Sequence, residues 1–147
     1  MMIALIQRVS AASVDVAGER GGEIGRGMLA LIGVAAGDDE ASAGRLLERL
    51  LGYRIFPDDA GRMNRDLRQI GGGLLLVPQF TLLADTASGT RPGFSRAAPP
   101  EQARTLFEGL IGRARTAYPR VAAGRFGADM QVALVNDGPV TFWLESR

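Results

Sequence analysis

The chain of 147 residues contains no cysteine and no histidine, and every one of its 17 basic residues is arginine. Each absence removes a class of chemistry. Without cysteine there are no disulfides, no thiolate nucleophile and no zinc site of the usual kind. Without histidine there is no Ser-His-Asp or Cys-His apparatus and no imidazole-bound metal. Without lysine there is no Schiff base and no P-loop lysine. Any reaction must run on carboxylates, hydroxyls, arginine, backbone groups or the substrate itself, and neither a cofactor nor a metal is expected.

Long apolar runs are also missing. The first residues, Met1 to Val9, are interrupted by Gln7-Arg8 and lack a basic start, so they read as a strand and not as a signal peptide. No run approaches the roughly 20 residues needed to span a bilayer, and a cytoplasmic protein without a membrane partner is expected. Nor is there an excess of charge: the formal net value is +1, too small to announce nucleic acid, and no DNA partner is expected. Arginine still suits phosphate locally, because its planar fork meets two oxygens at once.

What is present is an ordinary globular composition, 46% hydrophobic and 22% charged, of a length that fits one domain over residues 1–147. Residues 2–10 and 13–17 read as two strands, with Val14 and Val16 at the alternating spacing of a half-buried one. Gly18 to Gly22 reads as a turn, and Met28 to Ala36 as a strand covered on both faces. Asp38-Asp39-Glu40 opens a helix whose apolar side is Ala43, Leu46, Leu47, Leu50 and Leu51, stopped by Pro57. Leu74 to Val77 is a buried strand. Residues 84–98 form a loop. A second helix starts at Pro99-Pro100, buries Leu106, Phe107, Leu110, Ile111, Ala114 and Tyr118, and closes at Pro119. Met130–Val135 and Val140–Leu144 are the last strands. The order predicts a compact α/β domain, a barrel-like or layered mixed sheet with two main helices.

Four segments bear on chemistry. Gly71-Gly72-Gly73 precedes a strand where a dinucleotide fingerprint would follow one, so it is a flexible strand entry. Gln79-Phe80-Thr81 puts an amide, an aromatic face and a hydroxyl just after a buried strand, where sheet ends present residues to ligands, although Phe80 also reads as core and Thr81 as a strand residue. Asn136-Asp137-Gly138-Pro139 reads first as a hairpin turn. Its Gly-Pro bond is also of the kind that adopts the cis form at modest cost, which would redirect its carbonyls. Arg91 and Phe94 read in isolation as a surface charge with an anchoring ring, although a guanidinium and a ring are also the pieces that hold a nucleotide by phosphate contact and stacking. The paired acids Asp38-Asp39 and Asp58-Asp59 read as cap and turn residues.

The whole chain resembles the D-aminoacyl-tRNA deacylases of the bacterial and eukaryotic type. The opening Met2 to Val9, Gly52-Tyr53-Arg54-Ile55-Phe56, Gly124-Arg125-Phe126 and Met130-Gln131-Val132 all carry the likeness. The family's two hallmark segments, Ser-Gln-Phe-Thr-Leu and Asn-x-Gly-Pro-Val, stand here as Pro78 to Leu82 and Asn136 to Val140. The resemblance implies hydrolysis of the ester between a D-amino acid and the 3′ end of tRNA, with the terminal ribose 2′-OH assisting and no side-chain nucleophile. It implies that Gln79, Phe80 and Thr81 form the catalytic wall. It further implies that Gly138 and Pro139, joined by a cis bond and reaching across a homodimer, reject L-amino acids. Asn136 belongs to the same motif, and Arg8 would buttress it. Arg91, Phe94 and Met130 are expected near the tRNA 3′ end. Glycine, with no side chain to reject, is expected as a second substrate. Pro78 stands where the family has serine, and Gly93 where an Arg-Pro-Ser-Phe has serine. A non-catalytic tRNA-binding dimer and an esterase with Thr81 as nucleophile are the alternatives.

Overall fold

Strand β1 is the spine of the molecule. The computed structural model describes residues 1–147, and in it the two short strands expected at the start are one, β1 (Ile3–Val16). Its ladder shifts register on either side of Val9. Such bulges move the alternation from one face to the other: Ala4 and Ile6 face one cluster of buried side chains, whereas Ala12 and Val14, equally even-numbered, join Val9 in a second. A bulged continuous strand therefore looks like two in a sequence.

The expected turn over 18–22 is tighter than its composition suggests. Ala17 and Gly18 alone carry it, with φ of 52° and 80°, the pair of positive values that a two-residue hairpin matched to strand twist requires. Residues from Glu19 onward return at once as β2 (Glu19–Ile24), antiparallel to β1. Strand β3 (Gly27–Gly33) then pairs with the first half of β1 and is almost wholly buried.

The chain leaves the sheet for helix α1 (Glu40–Gly52). Asp39 caps it, accepting from the Ser42 amide while the Ser42 hydroxyl accepts from Asp39's own N–H, a reciprocal arrangement that satisfies two otherwise orphan donors. A small antiparallel pair, β4 (Phe56–Pro57) and β5 (Met63–Arg65), and a one-turn helix α2 (Leu67–Ile70) follow. Asp58 organises the turn of that pair, accepting from the Ala60 and Arg62 amides and from Asn64. Strand β6 (Gly73–Pro78) lies parallel to β3, and after helix α3 (Pro100–Ala117) strand β7 (Val121–Ala123) lies parallel to β6. Helices α1 and α3 are the two long ones expected; α2 was not foreseen, because one capped turn has no periodicity to read.

The alternation in β3 and β6 sorts the core. Met28, Ala30, Ile32, Leu74 and Leu76 face α1 and α3, where Leu46, Leu50, Phe107 and Leu110 meet them. Leu29, Leu75 and Val77 point the other way, toward Val9, Val14 and the partly buried Leu31, Met130 and Val132. The sheet curls until β2 meets β7: a Cβ on Gly22 would lie 3.3 Å from that of Ala122. The result is a nearly closed barrel with the long helices against its outside.

The last strand corrects the sequence reading. Residues 136–139 are not a hairpin turn: β8 (Met130–Glu145) is a single strand antiparallel to β1 along its length, with Val135 opposite Ala11 and Thr141 opposite Gln7. Between those pairs, residues 136–140 face only residues 8–10 of β1, so the extra backbone bulges out of the sheet. Both flanks pair with the same strand, which a hairpin would forbid. The Gly138-Pro139 bond is cis.

Candidate active site

The end of β6 sets the site. The Gln79 amide donates to the Ile32 carbonyl at 2.7 Å, extending the β3–β6 ladder by one bond. The chain then tightens into a 3₁₀ turn over Phe80–Leu83, with the Leu82 amide donating to Gln79 O and the Ala84 amide to Thr81 O. Leu83 anchors the turn from below, and it fits because residue 33 is glycine. A Cβ there would come within 2.5 Å of Leu83 Cδ2. With Leu83 inside, Phe80 and Thr81 face outward, and Phe80 is 58% exposed. The first N–H groups of a helical turn have no acceptor within it, and here they belong to Phe80 and Thr81. Gln79 Nε2 donates to Thr81 Oγ1.

Opposite this turn stand Ala98, Pro100 and Ala103 at the start of α3, Phe126 to Asp129 before β8, and Met130 and Val132 on β8. Together with Val77 to Phe80 they enclose a cleft of about 480 Å³. Met130 reaches it from the barrel wall, its sulfur accepting from the Arg125 amide at 3.4 Å.

Phe94 joins from the long loop, its ring 5.2 Å from that of Phe80. The loop is tied down. Asp85 and Gly93 exchange backbone bonds of 2.7 and 2.9 Å, and the Arg96 guanidinium donates to Ala84 O. Arg91, at its exposed tip, makes no ion pair.

The two departures from the family motifs fit the backbone. Donors alternate sides along a strand, and Gln79 donates to β3, so the nitrogen of Pro78 faces the other side. There the β6–β7 pairing runs on to Gly124, whose amide donates to Leu76 O at 2.8 Å. The next donor along that ladder would be residue 78, so proline ends the ladder at this strand terminus. At Gly93 an added Cβ would meet nothing nearer than 4.0 Å.

The second cluster lies on the bulge of β8. Arg8 Nε donates to Asp137 O at 2.8 Å and Nη1 to Ile55 O at 2.8 Å, while the Asp137 carboxylate sits 3.5 Å from Nε. Asn136 Oδ1 accepts from the Val140 amide and its Nδ2 donates to Thr141 Oγ1, closing the bulge at its neck. Gly138 is obligatory, because a Cβ there would lie 2.4 Å from Val140 N. Gly138 and Pro139 are exposed at the tip.

Gln79, Phe80, Thr81, Phe94 and Met130 thus gather at one place, and Arg8, Asn136, Gly138 and Pro139 at another. Within one chain the bulge does not line the cleft. Phe126, Ala103 and Asp129 were not among the expected site residues. Phe126 had a signal, since it stands in the Gly124-Arg125-Phe126 segment, whereas Ala103 is invisible in a helix's ordinary buried face. No three His, Cys, Asp or Glu side chains converge as a metal would need. The carboxylates held below their usual range by hydrogen bonds, Asp39, Asp58 and Glu145, lie outside the cleft. So does Tyr118, whose hydroxyl burial pushes up.

This barrel is shared over full length by two solved structures. One, titled as a c-Myc DNA unwinding element binding protein, superposes with a TM-score of 0.93 at 36% identity, covering 99% of both chains. The other, titled as a structural analysis of a probable eukaryotic D-amino acid tRNA deacylase, has a TM-score of 0.85 at 18% identity over 99% of this chain and all of that one. Sequence is more specific. The family model described as D-Tyr-tRNA(Tyr) deacylase matches residues 5–145. The D-aminoacyl-tRNA deacylase of Alkalilimnicola ehrlichii is 65% identical over 99% of this chain and 97% of its own. That of a Pseudomonas aeruginosa strain is 63% identical over 99% and 100%. The chain belongs to the D-aminoacyl-tRNA deacylase family, a family of ester hydrolases.

Proposed function

We propose that the protein hydrolyses the ester joining a D-amino acid to the 3′ end of tRNA, releasing free amino acid and tRNA, and rejects the L-ester. The observation that carries this reading is the cleft beside the 3₁₀ turn, in a chain of this family. It offers an aromatic face, an amide side chain and outward N–H groups, but no imidazole or thiol.

In this reading the terminal adenosine occupies the cleft near Phe80, Phe94 and Met130, and Arg91 meets the RNA. Water attacks the ester carbonyl carbon, and the oxygen that becomes negative faces the amides of Phe80 and Thr81. Fixed donors aimed at a developing charge are the largest single source of rate in many such sites. The neighbouring ribose 2′-OH relays one proton of the attacking water to the departing 3′ oxygen, and the carboxylic acid formed releases the other to solvent, so the products are a carboxylate and an intact ribose diol.

Chiral selection is assigned to Gly138 and Pro139 of a second copy in a homodimer. The bulge stands proud of its own sheet and outside its own cleft, which supports this role. Its carbonyls would take the substrate's amino group and crowd the direction of an L side chain. Glycine has nothing to crowd, so glycyl-tRNA is a substrate in this reading.

The test is one tRNA charged separately with D-tyrosine, L-tyrosine and glycine, with ester loss followed with and without protein. Loss of the D and glycyl esters alone is expected. Loss of the L ester at the same rate would remove the selection, and no loss of any would leave a tRNA-binding protein without this chemistry.

A further inference from the structure

A second cleft, of about 560 Å³, lies on the far side of Phe126 from the first, and Phe126 lines both. Its walls come from the β1–β2 turn, from the Phe107, Glu108, Ile111 and Arg115 side of α3, and from the segment Gly124–Phe126. Its charges are unequal in availability. Arg20 is committed to Asp15 and Glu23 at 2.7 and 2.6 Å. Glu108 lies 3.9 Å from Arg104, whose guanidinium carbon sits over the Phe126 ring, 5.1 Å from its centre. Arg115 and Arg125 are exposed and make neither an ion pair nor a side-chain hydrogen bond. Glu19, the remaining acid, is likewise unpaired and exposed.

Along α3, residues 104, 108, 111 and 115 recur at helical spacing on one side. Arg104 therefore stands at the Phe126 wall with Arg115 three turns further along, and Arg125 comes across from the facing segment. An acidic chain leaving the first cleft over Phe126 would pass between these guanidiniums.

We propose that this second cleft binds the phosphodiesters of the nucleotides preceding the terminal adenosine, with Arg115 and Arg125 as the phosphate ligands and Arg104, over the Phe126 ring, as the cation at the crossing. The inference rests on the reading that the first cleft takes the terminal aminoacyl-adenosine. Single-stranded RNA is held in this way elsewhere, by a basic groove that follows the backbone beside aromatic platforms. The guanidinium fork suits phosphate oxygens, and neither arginine must first abandon an internal partner. The site adds affinity without reading sequence, which is what an enzyme acting on many tRNAs with one common 3′ end requires.

The test compares R115A/R125A with the parent on two esters: D-tyrosyl-tRNA, and D-tyrosyl-adenosine, which has no preceding phosphate. The variant is expected to lose about tenfold in kcat/KM on the tRNA ester at low salt, and to show a salt dependence shallower by about 0.7 per lost contact. Its rate on the adenosine ester should be unchanged. Binding of an uncharged CCA trinucleotide should weaken in parallel, and R115E should weaken it further. Equal losses on both esters, or unaltered activity on the tRNA ester, would overturn the assignment. If the parent hydrolyses neither ester yet binds CCA through these arginines, the phosphate site stands and the deacylase reading falls.

Discussion

Arg8 and Asp137 are joined twice, by a hydrogen bond of 2.8 Å from Nε to the Asp137 carbonyl and by an ion pair of 3.5 Å to its carboxylate. The same guanidinium holds the Ile55 carbonyl through Nη1. One side chain from the middle of β1 thereby ties the bulge of β8 to the segment after α1. Its side chain is only 14% exposed, against 53% for Asp137, so the bond to Ile55 is the better shielded from competing water and the bond to Asp137 is open to it.

Replacing Arg8 by alanine should release the bulge. A hydrogen bond from a charged donor contributes about 1.5–3 kcal/mol, and a destabilisation in that range is expected from the denaturant midpoint. On the chiral reading the larger effect falls on discrimination, with the ratio of D- to L-tyrosyl-tRNA hydrolysis falling by about tenfold or more. Arg8→Lys should not restore it, since a point charge cannot serve two carbonyls in a fixed fork. Unaltered discrimination on a weakened fold would make Arg8 structural only.

Asp39 gives a pH signature. Hydrogen bonds from the Ser42 amide and hydroxyl hold its carboxyl below the ordinary aspartate range. A lowered folded-state value means the carboxylate form is favoured by folding. The stabilisation is therefore complete above the unfolded value and is lost as pH falls through the folded one. Asp39→Ala should lower Tm at pH 7, and the gap between variant and parent should close as the medium becomes acidic. A gap constant down to strongly acidic pH would mean that the cap acts without its charge.

How far the sequence discloses the molecule depends on where information is local. The helices are legible because Leu46, Leu47, Leu50 and Leu51 in α1, and Leu106, Phe107 and Leu110 in α3, repeat on one face and are buried as that repeat requires. β8 is not legible as one strand. Its continuity is decided by β1, far away in the chain, which pairs with both sides of the Gly138-Pro139 bulge. Likewise the Gln79–Thr81 side of the cleft is a contiguous motif, whereas the Ala98–Ala103 and Phe126–Asp129 sides arrive by tertiary packing alone. Motifs announce one wall of a site and the fold supplies the others.

Pro78 tests whether a serine hydroxyl at this position matters. Its nitrogen faces away from β3 toward Gly124, where the β6–β7 ladder makes its last bond, from the Gly124 amide to Leu76 O, so proline costs the sheet one terminal bond at most. On the proposed mechanism the reacting hydroxyl belongs to the substrate. Pro78→Ser should therefore change kcat on D-tyrosyl-tRNA by less than about tenfold, the worth of one ordinary hydrogen bond of about 1 kcal/mol. A gain of several orders of magnitude would show that the hydroxyl carries chemistry which this chain has given up.

Thr81 decides between the two enzymatic readings. A hydroxyl nucleophile needs a base to receive its proton, but the neighbour bonded to Thr81 Oγ1 is the side-chain amide of Gln79. An amide accepts no proton at neutral pH, whichever of its ends faces the hydroxyl. No carboxylate is hydrogen-bonded to Thr81 Oγ1 either, Asp129, the one acid lining the cleft, included. The backbone N–H of residue 81 survives any substitution except proline. Thr81→Val keeps the branched shape and that N–H while deleting the hydroxyl, so hydrolysis of D-tyrosyl-tRNA should persist within about tenfold. Thr81→Pro, which removes the N–H, should be far worse, and thermal melting would separate that loss from unfolding. An inactive valine variant with a native melting profile would restore Thr81 as the attacking group.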